Sequence, residues 1–314
     1  MAKKSFYGRG KLLLTGEYAV VRGAKAIAVP TGQGQRLTLS TGRGSDIKWK
    51  SKTADGEVWF DAKISLFDFS PLKTSDAEVA ERLGSILEAA VRLNSDFLST
   101  WKGIKVETEL EFPREWGWGS SSSLVYGIAQ WADVDPYDLY TATFGGSGYD
   151  IACAGSDEPI LFKKVSDDLV DLRPIDMSEA VSNHLHFVYS GKKAQSSSAL
   201  DYISENEMSP DWLDSVSELS QELSEAQSIS TWLKGIESHN ALLSEYLKQE
   251  SPQAHFRDFS GAIKSLGAWG GDFYLAATPE SPEYVQAYFQ EKGFSHVLSY
   301  EQVAVSCQPQ KAGQ

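Results

Sequence analysis

The stretch that most constrains the fold of this chain is a glycine- and serine-rich loop between a strand pattern and a helix pattern. Residues 104–112 alternate apolar and polar side chains, which predicts a half-buried strand, and residues 124–129 form an apolar run that predicts a buried helix. The connecting residues 113–123 read PREWGWGSSSS. Glycines let backbone N–H groups converge on an anion, and the first turn of a helix adds unpaired donors. The segment therefore predicts a phosphate site, the alternative being a flexible surface linker.

The loop matches neither of the two common phosphate-binding motifs. The chain has no Gly-x-x-x-x-Gly-Lys-Ser/Thr sequence, and Ser122 stands where the dinucleotide fingerprint needs its third glycine. A second glycine-rich segment, residues 145–148, approaches the nucleophile elbow of serine hydrolases, but Tyr149 replaces the final glycine of that motif. A serine hydrolase is therefore the least favoured of the alternatives.

Length and charge restrict the class of protein. The 314 residues suffice for one large or two medium domains. A formal net charge of −14 argues against a nucleic-acid partner or an anionic membrane surface, so an anionic substrate needs a local group of cations. No apolar run is long enough to span a bilayer and no signal-peptide core is present, which predicts a cytoplasmic protein. Cys153 and Cys307 are too few for a disulfide scaffold.

The rest of the chain reads as alternating strands and packing helices. We expect strands at residues 10–14, 26–30, 36–40, 160–162 and 184–189, a hairpin around Asp55-Gly56, and a helix at residues 76–93 with a capping-box start. Ser209-Pro210 predicts the start of a long helical region, with His239 and His255 at its surface. Residues 262–276 read as a helix joined to a strand by a glycine turn, followed by a helix at 285–289 and strands at 296–300 and 303–307.

Two sites carry charged residues that suggest chemistry. Asp150 lies between a glycine turn and small apolar residues, where an aspartate costs free energy unless it is paired or used. The alternative is a structural role as a helix N-cap or as a turn carboxylate. Lys192 and Lys193 follow a strand and precede a helix pattern, so they are candidates for holding an anionic group, although such a pair is usually solvated. His184 and His186 share one strand face and lack a third ligand, which favours a structural role.

Four segments together resemble the motifs of the GHMP small-molecule kinases, a family that includes galactokinase, homoserine kinase, mevalonate kinase and phosphomevalonate kinase. They occur in the order of the family, so the resemblance covers nearly the whole chain. The segments are Gly10-Lys11 with Gly16-Glu17 and Ala19-Val20-Val21, then Pro113 with Gly117-Trp118-Gly119-Ser120-Ser121, then Ser147-Gly148-Tyr149-Asp150, and Gly267-Ala268-Trp269-Gly270-Gly271.

The resemblance implies a two-domain α+β fold. Residues 1–167 would form an N-terminal domain that resembles the second domain of ribosomal protein S5, and residues 168–314 a ferredoxin-like domain. A composition shift after residue 168 agrees with this boundary. The family's active site lies in the cleft between the two domains.

The resemblance also implies an activity: ATP, with Mg²⁺, donates its γ-phosphoryl group to a small anionic metabolite. Asp150 would orient or deprotonate the acceptor, and Lys11 would keep Asp150 ionised and stabilise developing charge. Ser121 would be a Mg²⁺ ligand. The implied nucleotide-binding residues are Gly117, Trp118, Gly119, Ser120, Ser121 and Ser122. The substrate-binding candidates are Glu17, Tyr18, Ser147, Gly148, Lys192, Lys193, Gly270 and Gly271.

Departures from the family pattern bear on the acceptor and the metal. Tyr18 follows Glu17 where mevalonate kinases carry histidine, which together with Gly271-Asp272 favours phosphomevalonate over mevalonate. Leu139 or a neighbour takes the place of a glutamate metal ligand, for which Asp138 is a possible substitute. The alternatives are a non-catalytic nucleotide- or metabolite-binding protein and a kinase for homoserine or a sugar. We expect a monomer or a homodimer. The bulky Trp116, Trp118 and Trp269 would reshape the pocket.

Overall fold

A computed structural model describes residues 3–167, 169–191, 202, 204–267 and 271–304. These residues form two compact units, neither of which is contiguous in sequence. Unit 1 takes the described residues within 1–10, 33–114 and 118–155, and unit 2 takes those within 11–32, 115–117 and 156–314. The domain boundary between residues 167 and 168 stays a prediction.

The described residues contain both strands and helices throughout the chain. The strands are β1 Lys4–Leu13, β2 Ala26–Thr41, β3 Asp46–Lys52, β4 Val58–Ser65, β5 Pro71–Thr74, β6 Ile104–Leu110, β7 Ile160–Ser166, β8 Leu169–Pro174, β9 Leu185–Tyr189, β10 Ala262–Leu266, β11 Phe273–Ala277 and β12 Val297–Ser299. The α-helices are α1 Ala77–Leu93, α2 Ser120–Ala132, α3 Pro136–Thr143, α4 Tyr149–Ala154, α5 Glu179–Ser182, α6 Pro210–Glu225, α7 Ile229–Leu247, α8 Pro282–Glu291 and α9 Tyr300–Val303.

Unit 1 is a sheet packed against helices. Its strands lie in the order β5-β4-β3-β6-β2, where β2 contributes residues 35–41; β3 and β6 are parallel and the other pairs antiparallel. The alternating side chains of β3 bury Ile47 and Trp49, which join Leu87 of α1 and Ile128 of α2 in one apolar core. This core fixes the start of α2 relative to the strand that precedes it.

Unit 2 contains a second sheet of four antiparallel strands in the order β10-β11-β9-β12. In the same unit, residues 26–28 of β2 pair with β7, and β7 pairs with β8. Phe256, Ile263 and Phe289 belong to the apolar core on the four-stranded sheet. All residues of β10 are buried, including Lys264. No helix in the described part of the chain is long and apolar enough to cross a membrane.

Several sequence predictions are confirmed. The β3–β4 hairpin turns at Gly56, whose φ is 86°. Helix α1 is present, but its N-cap is Asp76, which accepts the Val79 N–H at 3.2 Å, and not Ser75 of the predicted capping box. Helix α6 begins after Ser209, which accepts the Trp212 N–H at 3.2 Å, as predicted. Helix α2 starts in the serines and buries its apolar face, as expected.

Two strands that the sequence predicts as separate form one continuous strand. β2 runs without interruption through Gly32 and Gly34, which lie between the strands predicted at residues 26–30 and 36–40. A Cβ on Gly34 would lie 2.3 Å from the Gly8 carbonyl oxygen, and one on Gly32 would lie 3.2 Å from the Ala304 oxygen. These glycines therefore allow another backbone segment to approach closely, which is the other common reason for glycine inside a strand.

Three further predictions were wrong. Residues 262–266 form a strand rather than a helix, because pairing with β11 decides the structure of a short apolar run whose periodicity is ambiguous. Val303 ends a short helix rather than starting a strand. His239 is 1% exposed, not at the surface, whereas His255 is exposed as expected.

Candidate active site

The glycine loop changes direction through left-handed residues immediately before α2. Gly117 has φ 66°, and Gly119, the N-cap residue of α2, has φ 84°. Left-handed backbone is accessible to glycine without a steric penalty. No side chain caps the helix at Gly119, so the donors of its first turn are not satisfied by the usual N-cap bond. The loop therefore presents the backbone arrangement that favours an anion.

The serines of α2 differ in what their hydroxyl groups contact. Ser122 and Ser123 are buried, and each donates to the Gly119 carbonyl oxygen at 3.0 Å. Ser123 also donates to Gln35 Oε1 at 2.9 Å. Ser121 is exposed, so among these three serines its hydroxyl is the best placed to reach a ligand. Because the Ser122 hydroxyl is occupied in this way, the predicted phosphate contact of Ser122 would have to be made by its backbone N–H. This contact stays a prediction.

The tryptophans that flank Gly117 anchor the loop on both sides. Trp118 is 1% exposed and lies against Phe112, with ring centroids 5.7 Å apart in unit 1. Trp116 packs in unit 2 against Phe273 at 5.6 Å and His296 at 5.8 Å. The indole of Trp118 is part of the core, so the predicted nucleotide contact of this residue, which stays a prediction, would have to be made by its backbone. The bulk of these side chains is thus used for packing.

Asp272 lies directly against the glycine loop. A Cβ built on Gly117 would be 1.7 Å from Asp272 Oδ2, so a side chain here would displace this carboxylate, and the φ of 66° itself favours glycine. The neighbouring Gly271 is buried, and its carbonyl oxygen accepts a hydrogen bond from Ser190 Oγ at 2.8 Å. The predicted substrate contact of Gly271 stays a prediction. Gly270, Lys192 and Lys193 lie outside the described residues.

Asp150 occupies the first turn of α4, and Tyr140 of α3 donates its hydroxyl to Asp150 Oδ2 at 3.0 Å. The N-cap of α4 is Gly148, so the alternative in which Asp150 caps a helix is wrong. Burial and the neighbouring Asp150 carboxylate raise the pKa of Tyr140, which keeps its phenol protonated. Asp150 is partly buried, and it therefore has both a fixed donor and access to solvent.

The turn between α3 and α4 is built from glycines with positive φ. Gly145 has φ 68°, Gly146 has φ 105° and Gly148 has φ 86°. A Cβ on Gly148 would lie 3.3 Å from the Tyr137 ring. Ser147, within the turn, is 7% exposed. The substrate contacts predicted for Ser147 and Gly148 stay predictions.

Lys11, the other predicted catalytic residue, lies near the end of β1 and is partly buried. It belongs to unit 2, whereas Asp150 belongs to unit 1. Its approach to Asp150 stays a prediction.

Glu17 lies in a buried polar cluster of unit 2. Its side chain is 1% exposed, and its Oε1 accepts a hydrogen bond from Lys264 Nζ, which also donates to the carbonyl oxygens of Leu14 at 2.8 Å and Ser265 at 3.0 Å. Three acceptors satisfy all three donors of an ammonium group. The other carboxylate oxygen of Glu17 lies 3.1 Å from His239 Nε2. The predicted substrate contact of Glu17 stays a prediction, and these partners give it a structural role.

The protonation states of this cluster follow from its contacts. Burial alone would raise the pKa of Glu17, but the charge and hydrogen bond of the Lys264 ammonium outweigh burial and hold that pKa below its usual value. Burial, followed by the charge of Lys264, lowers the pKa of His239. His239 Nε2 accepts the Gly16 N–H at 3.1 Å, which requires the neutral imidazole with its proton on Nδ1. The cluster is therefore one ion pair beside a neutral histidine.

The cluster holds a strained turn at Tyr18. Tyr18 has φ 65° and ψ −50°, and the Ala19 N–H donates to the Glu17 carbonyl oxygen at 2.8 Å, which together define a classic γ-turn. This conformation is strained for a residue other than glycine and persists only where its surroundings hold it. The Tyr18 ring lies 6.4 Å from that of Tyr246. Its predicted substrate contact stays a prediction.

Sequence reasoning missed Lys264, His239 and Tyr140. A signal for Lys264 was present, since a single cation inside the run AIKSL of a buried strand needs a buried partner. The other two carry no comparable signal, because their partners lie far away in sequence or across a glycine turn.

The donor set for a metal ion is limited. Among the described residues no group of three or more His, Cys, Asp or Glu side chains is arranged to hold a metal. Leu139 is fully buried and Asp138 is exposed in the first turn of α3. Mg²⁺ in kinases is bound by few protein groups and by nucleotide phosphates, so the exposed Ser121 hydroxyl beside an anion site fits this role.

Comparisons with known proteins show which solved structures share this fold. No protein-family model and no curated protein sequence matches the chain. Solved structures match it over nearly their full length. The chain has the GHMP kinase fold. Mevalonate kinase of Methanococcus jannaschii aligns with TM-score 0.69 and 15% identity, covering 95% of this chain and 97% of that chain.

Two further structures with the GHMP kinase fold show the same similarity. Phosphomevalonate kinase of Streptococcus pneumoniae, in complex with phosphomevalonate and AMPPNP, aligns with TM-score 0.71 and 16% identity over 94% of this chain and 99% of that one. Galactokinase of Lactococcus lactis, complexed with galactose, aligns with TM-score 0.64 and 13% identity over 96% and 93%. The predicted α+β fold is confirmed.

Proposed function

We propose that this chain is an ATP-dependent small-molecule kinase of the GHMP family. It transfers the γ-phosphoryl group of ATP to an oxygen of a small anionic metabolite, phosphomevalonate or mevalonate. The observation that carries the proposal is the glycine loop at the uncapped start of α2, in a fold shared with three kinases. Convergent N–H donors at a helix start are suited to a chain of phosphates.

The nucleotide is held mainly by backbone. The N–H groups of Gly117, Gly119 and Ser120 bind phosphate oxygens, and the two tryptophans keep the loop in place. Ser121 would hold Mg²⁺ through its exposed hydroxyl. When bound, Mg²⁺ neutralises the charge of the β- and γ-phosphates. Catalysis of this kind depends on positioning and charge stabilisation rather than on covalent help from the protein.

Asp150 and Lys11 act at the acceptor. The acceptor oxygen forms a bond to the γ-phosphorus while the bond from phosphorus to the β–γ bridging oxygen breaks, giving ADP. A hydroxyl acceptor gives its proton to Asp150, whereas a phosphate acceptor is oriented by it. Lys11 stabilises the charge that develops on the transferred group.

The acceptor class rests on three features. Tyr18 stands where mevalonate kinases have histidine, and Asp272 follows the last glycine of the third motif. The chain carries −14 formal charge, so an anionic acceptor needs a local cation, for which Lys192 and Lys193 are the candidates. The similarity to a phosphomevalonate kinase supports this acceptor, and the similarity to a galactokinase keeps a sugar as the alternative. A cytoplasmic location and a monomeric or homodimeric state belong to the same proposal.

ATP consumption tests the proposal. Purified protein is assayed with Mg²⁺ and, in turn, phosphomevalonate, mevalonate, homoserine and galactose. We expect turnover with phosphomevalonate or mevalonate, and a loss of about 100-fold or more in Asp150→Asn, as for removal of a general base.

The other outcomes separate the alternatives. Turnover with homoserine or galactose alone would retain the kinase and replace the acceptor. ATP binding without turnover on any of the four would favour a non-catalytic binding protein. Labelling by an active-site serine probe would point instead to a hydrolase.

A further inference from the structure

The carboxylate of Asp150 is held by a side chain that no family motif includes. Tyr140 lies in the last turn of α3, and its hydroxyl donates to Asp150 Oδ2 at 3.0 Å. The partners are ten positions apart, and the glycine turn 145–148 brings α4 back against α3. The Tyr140 carbonyl oxygen also accepts the N–H of Gly145 at 3.0 Å, so Tyr140 contacts the first residue of this turn and the helix that follows it.

The ring of Tyr140 is fixed by its surroundings. It stacks on Phe144 with centroids 6.0 Å apart and an interplanar angle of 13°. The guanidinium of Arg82 covers Phe144, 4.6 Å from the ring centroid. A Cβ on Gly146 would come within 3.5 Å of the Tyr140 hydroxyl, so the turn itself closes over the phenol. A side chain held on several sides sets the position of whatever it binds.

Chemically, Tyr140 supplies a neutral donor where the resemblance leads one to expect an anionic metal ligand. Leu139, at the expected position, is fully buried, and Asp138 is exposed. The phenol remains protonated because its pKa is raised by burial and by Asp150. A neutral donor orients a carboxylate and stabilises its ionised form without adding charge to the site.

We propose that Tyr140 positions the Asp150 carboxylate for phosphoryl transfer, an inference that rests on the proposed kinase function. The hydrogen bond fixes the rotation of the carboxylate and lowers its affinity for a proton. Asp150 is then ionised and correctly turned when the acceptor arrives.

The test compares Tyr140→Phe with Tyr137→Phe in the full chain. Tyr137 lies in the same helix, and its pKa is raised chiefly by burial and to a smaller degree by the charge of Asp150, but no hydrogen bond joins the two residues. We expect Tyr140→Phe to lower kcat about tenfold, the equivalent of one hydrogen bond to a charged group, with KM within about twofold of wild type. The acidic limb of its pH–rate profile moves to higher pH, and Tyr137→Phe changes neither quantity.

A second readout does not depend on turnover. The Asp150 side-chain carboxyl is titrated by NMR in protein carrying isotope-labelled aspartate, and Asp150→Asn assigns its signal. The titration midpoint rises in Tyr140→Phe and stays unchanged in Tyr137→Phe, because only the former loses a donor to the carboxylate. Thermal unfolding within about 3 °C of wild type shows that the variant is folded.

Each outcome decides the inference. An unchanged midpoint in Tyr140→Phe, or an equal change in Tyr137→Phe, overturns it even if the chain is an active kinase. If wild-type protein turns over none of the acceptors, the proposed function fails and the positioning role falls with it, while the NMR midpoint still measures whether Tyr140 acts on Asp150.

Discussion

Two carboxylates of this chain, Glu17 in unit 2 and Asp150 in unit 1, lie in opposite environments. Glu17 is 1% exposed, with the Lys264 ammonium on one oxygen and His239 near the other. Asp150 is partly exposed and is held by the neutral hydroxyl of Tyr140. Removing one partner of a buried ion pair leaves an uncompensated charge and is strongly destabilising, whereas a partly exposed carboxylate keeps contact with solvent.

The difference gives Glu17 a structural role and is consistent with the role proposed for Asp150. Glu17 secures the γ-turn at Tyr18 by tying it to β10 and α7 within unit 2. One oxygen of Asp150 accepts a hydrogen bond from a side chain of the adjacent helix. Both carboxylates lie in segments that resemble family motifs, and Asp150 is the more exposed of the two.

The largest expected effect comes from replacing each carboxylate by its amide. Glu17→Gln leaves the buried Lys264 ammonium without a counter-ion and should lower the free energy of unfolding by about 3 kcal/mol. Asp150→Asn retains an oxygen that accepts from Tyr140, and its unfolding free energy should stay within about 1 kcal/mol of wild type. Urea-induced unfolding followed by circular dichroism measures both. Equal losses in the two variants would contradict the division of roles.

The next effect is a pH dependence that belongs to unit 2. The folded state lowers the pKa of His239 from its usual 6.5, so the unfolded chain binds a proton that the folded chain does not. Stability is therefore fully present above about pH 6.5 and falls as the pH drops through and below it, by at most about 1.4 kcal/mol per pH unit. Burial also lowers the pKa of His186, which adds a slope of the same sign.

Unfolding free energies measured between pH 7.5 and 5 test whether the lowered pKa of His239 causes this pH dependence. His239→Gln should show a shallower decline than wild type, because only the part due to His186 remains, while the exposed His255→Gln should follow the wild-type curve. Since the pKa of Glu17 is lowered from 4.5, its own contribution is lost only at lower pH, outside this window. Identical slopes in the His239 variant and wild type would show that His239 is protonated in the folded chain.

The smallest expected effect comes from a double variant, which tests whether the charges of the Glu17–Lys264 pair stabilise the fold. The double variant Glu17→Met with Lys264→Met removes both charges and fills a similar volume, so its unfolding free energy should lie within about 1 kcal/mol of wild type. Lys264→Met alone should cost about 3 kcal/mol, as Glu17→Gln does, which gives a strong coupling in the double-mutant cycle. The double variant could instead be as unstable as Lys264→Met alone. In that case the γ-turn is held by the hydrogen bonds of Lys264 to Leu14 and Ser265, and the charge of Lys264 is not what holds it.

The parts of the fold that were predicted correctly depend on local chemistry. The loop before α2 was recognisable because left-handed glycines and a helix start leave their marks within a few residues. The start of α6 followed from its cap residue in the same way. The fold itself came from several motifs in the family's order, and their spacing along the chain survives where overall identity is 13–16%.

The wrong predictions concern residues whose structure is determined by contacts with distant segments of the chain. β2 was divided at glycines that serve close backbone contacts with Gly8 and Ala304, and β10 was read as a helix although β11 pairs with it. The surface position predicted for His239 was wrong because its contacts, Gly16 and Glu17, lie more than two hundred residues earlier in the chain.

By itself, the sequence determined where the backbone must turn through left-handed glycine, where α2 begins, and that Asp150 needs a partner or a use. Only the tertiary structure decided that Glu17 is paired with Lys264 and that Tyr140 is the donor to Asp150. The physical reason is that backbone conformation is set by neighbouring residues, whereas burial and the charge state of a side chain are set by whatever the fold packs against it.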